Sequence, residues 1–312
     1  MAFCRCVTIE DLNKLVIHGQ IRTLIRMEEA DHEKQFCAIA GEICKKEAVA
    51  VLLSGPSSSG KTTSANRLAI QLLLHGKKPV LISLDDYYID RDKIAPGPDG
   101  RLDLEHIDTI DTELFARNLQ DILNGERTQI PSFNFMTGKR EWKDRFLQLE
   151  KESVIVIEGI HGLNPLLLPK TVDPRKIYRV YVSPWLPVDY WLPEYDLRLL
   201  RRIVRDHKSR GTTVQKTVAM WDSVRQGEKR WIFPYRENAD VMFNSAARYE
   251  PAVLKKHIMP LLTAVPQENE MYGCVRAVSR LLEGIWEADV DDEIPPTSLL
   301  REFIGGNTFY RQ

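Results

Sequence analysis

The chain has 312 residues, enough for one sizeable α/β core with an appendage or for two modest domains. Its 43 basic and 44 acidic residues give a formal net charge of −1, which indicates no bulk attraction to nucleic acid or to an anionic membrane. The five cysteines do not suit a disulfide framework, and no apolar run resembles a membrane-spanning helix or a signal peptide. We therefore expect a cytoplasmic protein without nucleic-acid or membrane partners, in which any phosphate binding is local.

Residues 8–46 show a helical pattern at the start of the chain. Apolar residues recur at helical spacings from Leu12 to Ile25, and a charged, mostly polar stretch follows. The pattern predicts an N-terminal helical appendage over residues 1–46. A core over residues 47–270 and a C-terminal helix and arm over residues 271–312 complete the predicted organisation.

Five short apolar runs, rich in β-branched residues, alternate with helical patterns in the core. They are residues 48–54, 79–84, 153–158, 177–183 and 240–245. This alternation predicts the α/β class, with a mainly parallel sheet covered by helices on both faces. Between the second and third runs, a helix from about Asp111 to Gly125 and a hairpin across residues 129–149 predict a small insertion on one side of the sheet.

The run GPSSSGKT, from Gly55 to Thr62, matches the phosphate-binding pattern G-x-x-x-x-G-K-[ST] between a predicted strand and a predicted helix. Small residues let successive backbone N–H groups point at a phosphate, and the helix dipole adds to the attraction. Lys61 is expected to reach the β- and γ-phosphates, and the Thr62 hydroxyl to bind Mg²⁺. The expected nucleotide-binding residues of this loop are Gly55, Ser57, Ser58, Ser59, Gly60, Lys61, Thr62 and Thr63.

Other classes of nucleoside-triphosphate protein fit the sequence less well. A switch GTPase needs a guanine-binding N-K-x-D segment late in the fold, but the Asn13-Lys14 pair precedes the loop and has no such aspartate. Motors and transport ATPases need long coiled coils or a large second domain. A small-molecule kinase needs only the phosphate cradle, a magnesium carboxylate, a base and basic residues over the transferred group.

Five segments in a fixed order resemble the uridine kinase and phosphoribulokinase family of P-loop kinases. They are GPSSSGKTT, SLDDYYID, PSFNFMTGKR, VIVIEGIHG and DLRLLRRIVRDHKSRG, and the resemblance spans roughly residues 48–250. SLLREFIGG near the C-terminus and IRTLIRMEEADHEKQ before the core are similar to the kinase part of bacterial-type nucleoside kinases related to uridine kinase. The resemblance implies Mg²⁺- and ATP-dependent transfer of the γ-phosphoryl group to a small acceptor, most closely the 5′-hydroxyl of a nucleoside.

The resemblance also implies roles for two acidic positions at strand ends. Asp85, after the second predicted strand, matches the aspartate that takes the proton from the acceptor hydroxyl, and Asp86 is its close competitor. Glu158 ends the third predicted strand and, by the same resemblance, matches the acidic residue on magnesium. Independently, a carboxylate after four apolar residues is costly to bury unless it is paired or bound to a metal. The expected metal-binding residues are Thr62, Glu158 and Asp85, and the expected catalytic residues are Asp85, Lys61 and Arg198.

The acceptor site is expected near the segment DLEHIDTID. Glu105 falls where related kinases have the aspartate that binds both ribose hydroxyls. Asp103, Asp108 and Asp111 are the alternatives at this place, and Asp111 also suits the N-cap of the following helix.

The predicted hairpin matches the part of the family that forms a wall against the nucleobase. Phe133, Phe135 and Arg140 are expected there, with Tyr88 as a further substrate-binding residue, although alternate aromatic residues in a strand also fit a plain core role. Pyrimidine-nucleoside kinases carry a histidine in this hairpin, and the matching position here is Gly138, while Phe133 replaces a usual tyrosine. The loss of hydrogen bonds to the base edge predicts loose base specificity.

The run DLRLLRRIVRDHKSRG predicts a helix with a basic stripe that faces outward or towards a ligand. The stripe holds Arg198, Arg202, Arg205 and Ser209, opposite the apolar stripe of Leu200, Ile203, Val204 and His207. A solvated basic face is one interpretation. The resemblance implies instead a lid over about residues 196–235, in which Arg198 and Arg201 close on phosphates, with Arg205 and Arg210 nearby. Arg198 is expected on the acceptor too, and Arg201 and Arg205 on the nucleotide.

Two alternatives stay open at this point. One is a kinase of the same family for another alcohol, such as a sugar, a sugar phosphate or a vitamin, which Gly138 favours. The other is a non-catalytic nucleotide-binding regulator, which the presence of both Asp85 and Glu158 disfavours. The expected partners are ATP and a small-molecule acceptor, and a homo-oligomer is compatible with the sequence.

Overall fold

The computed structural model describes residues 8–95, 103–168, 172–186 and 191–309. Its strands are β1 Ala50–Ser54, β2 Lys78–Ser83, β3 Thr128–Gln129, β4 Ser132–Asn134, β5 Lys139–Glu141, β6 Phe146–Leu147, β7 Ser153–Glu158, β8 Ile177–Ser183 and β9 Val241–Asn244. Its helices are α1 Ile9–Ile17, α2 Ile21–Lys45, α3 Lys61–Leu74, α4 Thr112–Leu123, α5 Glu194–Ser209, α6 Val214–Trp231, α7 Glu250–Thr263, α8 Tyr272–Arg280 and α9 Arg301–Ile304.

The five predicted core strands form one parallel sheet in the order β2-β7-β1-β8-β9. Successive side chains point to opposite faces, so in β1 Val51 and Leu53 enter one apolar cluster and Leu52 enters another. Helices α2 and α3 cover the first face and α4 covers the second. The predicted α/β fold, with a parallel sheet between helices, is confirmed.

The predicted helical segment at the start of the chain is confirmed as α1 and α2, and α2 packs directly on α3. Phe36 of α2 is 1% exposed, and its ring centroid lies 4.3 Å from that of Phe243 in β9. A buried ion pair between Glu29 of α2 and Arg67 of α3 (3.1 Å) joins the same two helices. Helix α2 therefore forms part of the layer that covers the sheet.

The predicted insertion is confirmed as α4 and two nested antiparallel strand pairs. The Asp111 side chain accepts from the Leu114 backbone N–H (3.0 Å) at the start of α4, and Gly125 adopts a left-handed conformation (φ 83°) just after its end. Strand β3 pairs with β6, and β4 pairs with β5. Strand β4 and helix α4 both pack against the short turn Leu84–Tyr87 that follows β2, so the insertion lies beside the edge of the sheet where β2 ends.

The C-terminal arm returns to the core and packs beside α3. Leu299 joins the apolar cluster under α2 and α3, while Leu300, Phe303 and Ile304 join the cluster that α5 and α7 share. In the parts of the chain that the structure describes, none of the helices has both the length and the apolar character needed to cross a membrane.

We expect Phe36→Ala to lower the free energy of unfolding by about 3–5 kcal/mol, because removal of the large Phe36 side chain would leave a cavity between α2 and the sheet. Urea denaturation followed by circular dichroism measures this change. Leu74→Ala in α3 is the control: Leu74 is 77% exposed, so its truncation should cost less than about 0.5 kcal/mol. Equal, small losses in both variants would show that α2 is not part of the cooperative core.

Candidate active site

The loop between β1 and α3 is shaped by two glycines. A Cβ atom on Gly55 would lie 2.0 Å from the Val182 carbonyl oxygen, so no other residue fits without displacing β8. Gly60 has a φ of +88°, a left-handed conformation that glycine adopts freely. Gly60 is also the N-cap of α3 and has no side chain to accept from the first-turn N–H groups, which are therefore left for other acceptors.

Several donors of this loop have no partner within the fold. The Ser58 and Ser59 hydroxyls are buried without a hydrogen-bond partner in the described structure. The Lys61 ammonium donates to the Pro56 carbonyl (2.9 Å); burial lowers its pKa, while Glu158 and then Asp85 oppose that effect. Free hydroxyls, free N–H groups and a lysine together fit a chain of phosphates.

Glu158 ends β7 and faces the start of α3. Its carboxylate accepts from the Ser83 hydroxyl (2.6 Å) and from the Thr62 hydroxyl (3.4 Å). Burial raises the pKa of Glu158 to about 7, Asp85 raises it further, and Lys61 opposes them. Of the described residues, no group of three or more His, Cys, Asp and Glu could hold a metal. The residues present fit Mg²⁺, which commonly takes one or two carboxylates and obtains its other ligands from phosphates and water.

The structure separates the two adjacent aspartates after β2. The Asp86 carboxylate accepts from the Arg145 guanidinium (2.6 Å) and from the Phe133 backbone N–H (3.4 Å). The Asp85 carboxylate, within the described part of the chain, has neither a hydrogen bond nor an ion pair. Its charge contributes to the pKa shifts of Lys61 and Glu158, so it lies near both. Asp85 is therefore the aspartate that is available to a ligand.

Three aromatic rings form a wall beside Asp85. The Tyr88 centroid lies 5.5 Å from that of Phe133 and 6.2 Å from that of Phe135, and the two phenylalanine rings are 5.2 Å apart, edge to face. The Arg210 guanidinium lies over the Phe135 ring at 4.2 Å. Burial raises the pKa of Tyr88 well above its ordinary value, and Asp85 adds to this effect. The three rings are half-buried, and a flat ligand can stack against the ring surface that stays open.

Glu105 is 7% exposed, and its carboxylate has no partner among the residues described. Burial raises its pKa to about 7, and Glu228 of α6 adds to the shift while Arg202 opposes it. Helix α6 packs closely here, because a Cβ atom on Gly227 would lie 2.6 Å from Glu105 Cβ. An unpaired buried carboxylate of this kind is suited to accept hydrogen bonds from ligand hydroxyls.

The alternative carboxylates near Glu105 have other roles. Asp103 accepts from the Trp231 indole N–H (2.9 Å), Asp108 is exposed, and Asp111 caps α4. Glu105 is thus the one of these four candidates that is buried and unpaired in the described structure.

In the hairpin, the expected acceptor-binding residue Arg140 and the position of the missing histidine, Gly138, both lie away from the aromatic wall. The Arg140 guanidinium donates to Asp111 (2.9 Å) and to the carbonyls of Tyr87 (3.0 Å) and Tyr88 (3.1 Å), so its donors hold the hairpin to the segment after β2. Gly138 has a φ of +69° in the hairpin turn, and a Cβ atom there would lie 3.1 Å from Arg91 Cβ. A side chain at this position would point at Arg91 and not at the aromatic wall.

The arginines of the predicted basic stripe on α5 do not face solvent, although Ser209 at its end is exposed. Arg198 is buried and makes a paired contact with Glu228 of α6 (2.6 and 2.9 Å), and it also donates to the Ser57 carbonyl (3.1 Å). Glu228 in turn accepts from the Ser57 backbone N–H (2.9 Å). The interpretation as a solvated face is therefore wrong, and His207, which was expected on the apolar stripe, is exposed.

Arg201 is fully buried on the same helix and is used within the fold. It donates to Glu250 of α7 through two nitrogens (2.6 and 2.7 Å) and to the Ser245 carbonyl (2.7 Å). The loss of either partner would leave the other charge buried and unpaired, so this ion pair holds α5 against α7. Arg201 supports the loop from behind, since it also lies within 3.4 Å of the Ser58 carbonyl.

Three other arginines surround a single carboxylate, that of Asp206. Arg205 lies 2.8 Å, Arg202 3.3 Å and Arg210 3.9 Å from its oxygens. Burial lowers the pKa of Arg210 to about 10, and the charge of Arg205 acts in the same direction. The cluster therefore has more positive than negative charge, and Arg202 extends it to the Ser57 hydroxyl (2.7 Å).

Comparison with known proteins places these residues in a family. Residues 50–250 match the phosphoribulokinase / uridine kinase family. The chain belongs to this family. It is 28% identical to the uridine kinase of Staphylococcus epidermidis over 202 residues, which cover 64% of this chain and 89% of the relative, and 29% identical to that of Macrococcus caseolyticus over 191 residues, which cover 61% and 84%.

A solved structure from Silicibacter sp. TM1040, described as a candidate fructose transport system kinase, has the same fold. It superposes with a TM-score of 0.51 at 21% identity and covers 67% of this chain and 98% of its own. The fold, the nucleotide-binding loop and the family together make this chain a small-molecule kinase, a phosphotransferase with an alcohol group as acceptor. The matched region ends before the C-terminal arm.

Sequence patterns did not single out two carboxylates that contact the loop, Glu228 and Glu302. Glu228 follows Gly227 in a helix that otherwise has an ordinary mixed pattern, and Glu302 lies 239 positions from Thr63, the residue it contacts. For Glu228, only its acidic character could have drawn attention to it. Glu302 lies in SLLREFIGG, which carries part of the resemblance to bacterial-type nucleoside kinases but gives this residue no role.

We expect Glu105→Gln to reduce the loss of stability that occurs between pH 5 and pH 8. The folded-state pKa of Glu105, about 7, lies above its ordinary value of 4.5, so folding retains a proton that the unfolded chain releases. This stabilisation is complete below pH 4.5 and is lost as pH rises through 7, by about 2–3 kcal/mol. Urea unfolding at both pH values measures it. Asp108→Asn, on the same segment but exposed, should leave the pH dependence unchanged; equal curves for wild type and Glu105→Gln would contradict the assignment.

Proposed function

We propose that this kinase uses ATP and Mg²⁺ to phosphorylate the 5′-hydroxyl of a nucleoside. The observation that carries the proposal is the unpaired Asp85 carboxylate, which lies near Lys61 and Glu158 of the phosphate-binding side and beside the aromatic wall. A base in this position can reach a hydroxyl that points towards a γ-phosphate. The relatives from Staphylococcus epidermidis and Macrococcus caseolyticus are named uridine kinases, which agrees with a nucleoside acceptor.

In this proposal the loop between β1 and α3 binds the triphosphate through its backbone N–H groups and free hydroxyls. The donors would be those of Gly55, Ser58, Ser59, Gly60, Lys61 and Thr62, together with those of Ser57 and Thr63, whose N–H groups donate to Glu228 and Glu302 in the structure. Thr62 and Glu158 would hold Mg²⁺, with Asp85 close by, and the metal would neutralise charge on the β- and γ-phosphates. The excess charge of Arg202 and Arg205 would act on the transferred group. Arg198 and Arg201 would support the loop through their carboxylate partners.

The chemical step follows from the position of Asp85. The acceptor oxygen attacks the γ-phosphorus, the bond from that phosphorus to the β–γ bridging oxygen breaks, and ADP leaves. The hydroxyl proton passes to the Asp85 carboxylate, which has no other donor in the described structure. Lys61 stabilises the charge that develops on the phosphates.

The acceptor would lie between the aromatic wall and Glu105. A nucleobase can stack on Phe133, Phe135 and Tyr88, and the ribose hydroxyls can donate to the Glu105 carboxylate. Arg140 would act by positioning, since it fixes the hairpin to the Asp85 segment. The wall itself offers ring faces, with Arg210 against one of them.

A second candidate is another alcohol of the kind that related kinases accept, such as a sugar or a sugar phosphate. The specific observation in its favour is the excess positive charge around Asp206, which could balance an anionic acceptor. A panel of acceptors distinguishes the two candidates.

We expect Asp85→Asn to reduce turnover by about 10²-fold or more, because the amide cannot accept the hydroxyl proton. ATP binding, measured by calorimetry, should be retained. Asp86→Asn is the comparison: it breaks the pair with Arg145, so it should lower thermal stability more than it lowers the rate. An active Asp85→Asn protein together with an inactive Asp86→Asn protein would mean that Asp86 is the base.

Ribonucleosides with different bases should be phosphorylated with kcat/KM values within about tenfold of one another, a difference of roughly 1.4 kcal/mol. The wall provides stacking and shape, whereas Glu105 accepts from paired hydroxyls. Removing the 2′-hydroxyl should therefore cost on the order of 1–3 kcal/mol. Steady-state kinetics with uridine, cytidine, adenosine, inosine and deoxyuridine tests this. A strong preference for one base would contradict it, and no activity on any nucleoside would favour the other alcohols.

A further inference from the structure

A carboxylate from the C-terminal arm contacts the start of α3. The Glu302 side chain of α9 accepts from the Thr63 backbone N–H (3.1 Å) and from the Thr63 hydroxyl (2.8 Å). Asn307 of the same arm donates to the Thr63 hydroxyl (3.4 Å). Both residues lie outside residues 50–250, the part of the chain that the family match covers.

The Thr63 N–H belongs to the set that a bound nucleotide would use. It lies in the first turn of α3, where Gly60 at the N-cap offers no side-chain acceptor. In a loop of this type, such N–H groups hold the α- and β-phosphates at the positive end of the helix. The Glu302 carboxylate has the charge of a phosphate oxygen and accepts the same hydrogen bonds.

The backbone that carries Glu302 is firmly held. Arg301 donates to the carbonyls of Ile294 (2.9 Å) and Gly305 (3.3 Å), and the Phe303 side chain is buried next to it. Leu299 packs over the loop, within 3.3 Å of the position that a Gly60 Cβ would take. Release of Thr63 therefore requires rotation of the Glu302 side chain and not removal of the arm.

The charge of Glu302 also reaches the phosphate-binding groups. Burial lowers the pKa of Lys61 and raises the pKa of Glu158. The Glu302 charge opposes the first shift and adds to the second. Arriving phosphates would thus meet a competing anion at Thr63 and an added negative potential around Lys61.

We propose that Glu302 is a gate residue, which occupies a phosphate position on Thr63 and must rotate away before a nucleoside triphosphate binds. The inference rests on the proposed function only in that it requires nucleotide binding at this loop. Glu302 lowers nucleotide affinity, and the orientation of its side chain depends on whether the site is occupied.

The test measures binding of a non-hydrolysable ATP analogue with Mg²⁺ by isothermal titration calorimetry. We expect Glu302→Gln to bind about tenfold more tightly than wild type, because a neutral amide competes less well for an N–H than a charged carboxylate does. Glu302→Asp keeps the charge but is one methylene too short to reach Thr63, so we expect a gain of the same sign. Glu293→Gln is the matched control, since Glu293 precedes the same arm segment and pairs with Arg22 and Arg26 away from Thr63.

The outcomes separate the gate from the proposed function. If wild type binds the analogue and both Glu302 variants bind it equally or more weakly, the gate is wrong and Glu302 serves only to cap α3. If wild type and both variants fail to bind it, the proposed function and the gate fail together. Thermal unfolding without ligand monitors folding: a variant that melts with wild-type cooperativity yet shows no gain in affinity counts against the gate. Unchanged affinity in Glu293→Gln is required for the gain to be assigned to Glu302.

Discussion

The register of three parallel strands is the constraint on which the site depends. Ser83 of β2 and Leu53 of β1 both lie opposite Glu158 of β7, so the three strands end at one level. The chain leaves β1 into the phosphate-binding loop and β2 into the Asp85 turn, and Glu158 ends β7 between them. A shift of β2 by one residue would turn its side chains to the other face and remove Ser83 from Glu158.

Buried charge is the second feature that shapes the site, and most of it is balanced in pairs. Arg198 is matched by Glu228, and Arg201 by Glu250, so these arginines act as rigid supports for the loop. Among the described residues, the charges without a one-to-one partner are of both signs: Asp85, whose charge contributes to raising the pKa values of Lys61, Arg205 and Arg210, and the arginines that outnumber the Asp206 carboxylate. Binding of a charged substrate would compensate the unmatched charges in this partly buried site. The contrast between matched and unmatched charges therefore distinguishes the residues that support the loop from those that form the site.

Local patterns predicted the strands, the loop and α4, because alternation, glycine spacing and an N-cap aspartate act over a few residues. They could not choose between Asp85 and Asp86, since that depends on Arg145, which lies 59 positions further along the chain. The same limit explains Arg140, which has the charge of a ligand-binding residue but is used by backbone carbonyls. The stripe on α5 misled for a related reason: periodicity identifies a face but does not reveal that carboxylates of α6 and α7 cover it.

The segments outside the family match are joined to α3 by one buried network. The Glu29 carboxylate of α2 accepts from the Tyr249 hydroxyl (2.8 Å) and the Ser298 hydroxyl (2.6 Å), and it pairs with Arg67 of α3. Ser298 lies four positions before Glu302, so the arm that contacts the first turn of α3 is anchored to a helix that packs along the rest of α3. The residues around the Glu302–Thr63 contact are therefore tightly packed. Breaking this contact by rotation of the Glu302 side chain costs less than breaking it by movement of the arm.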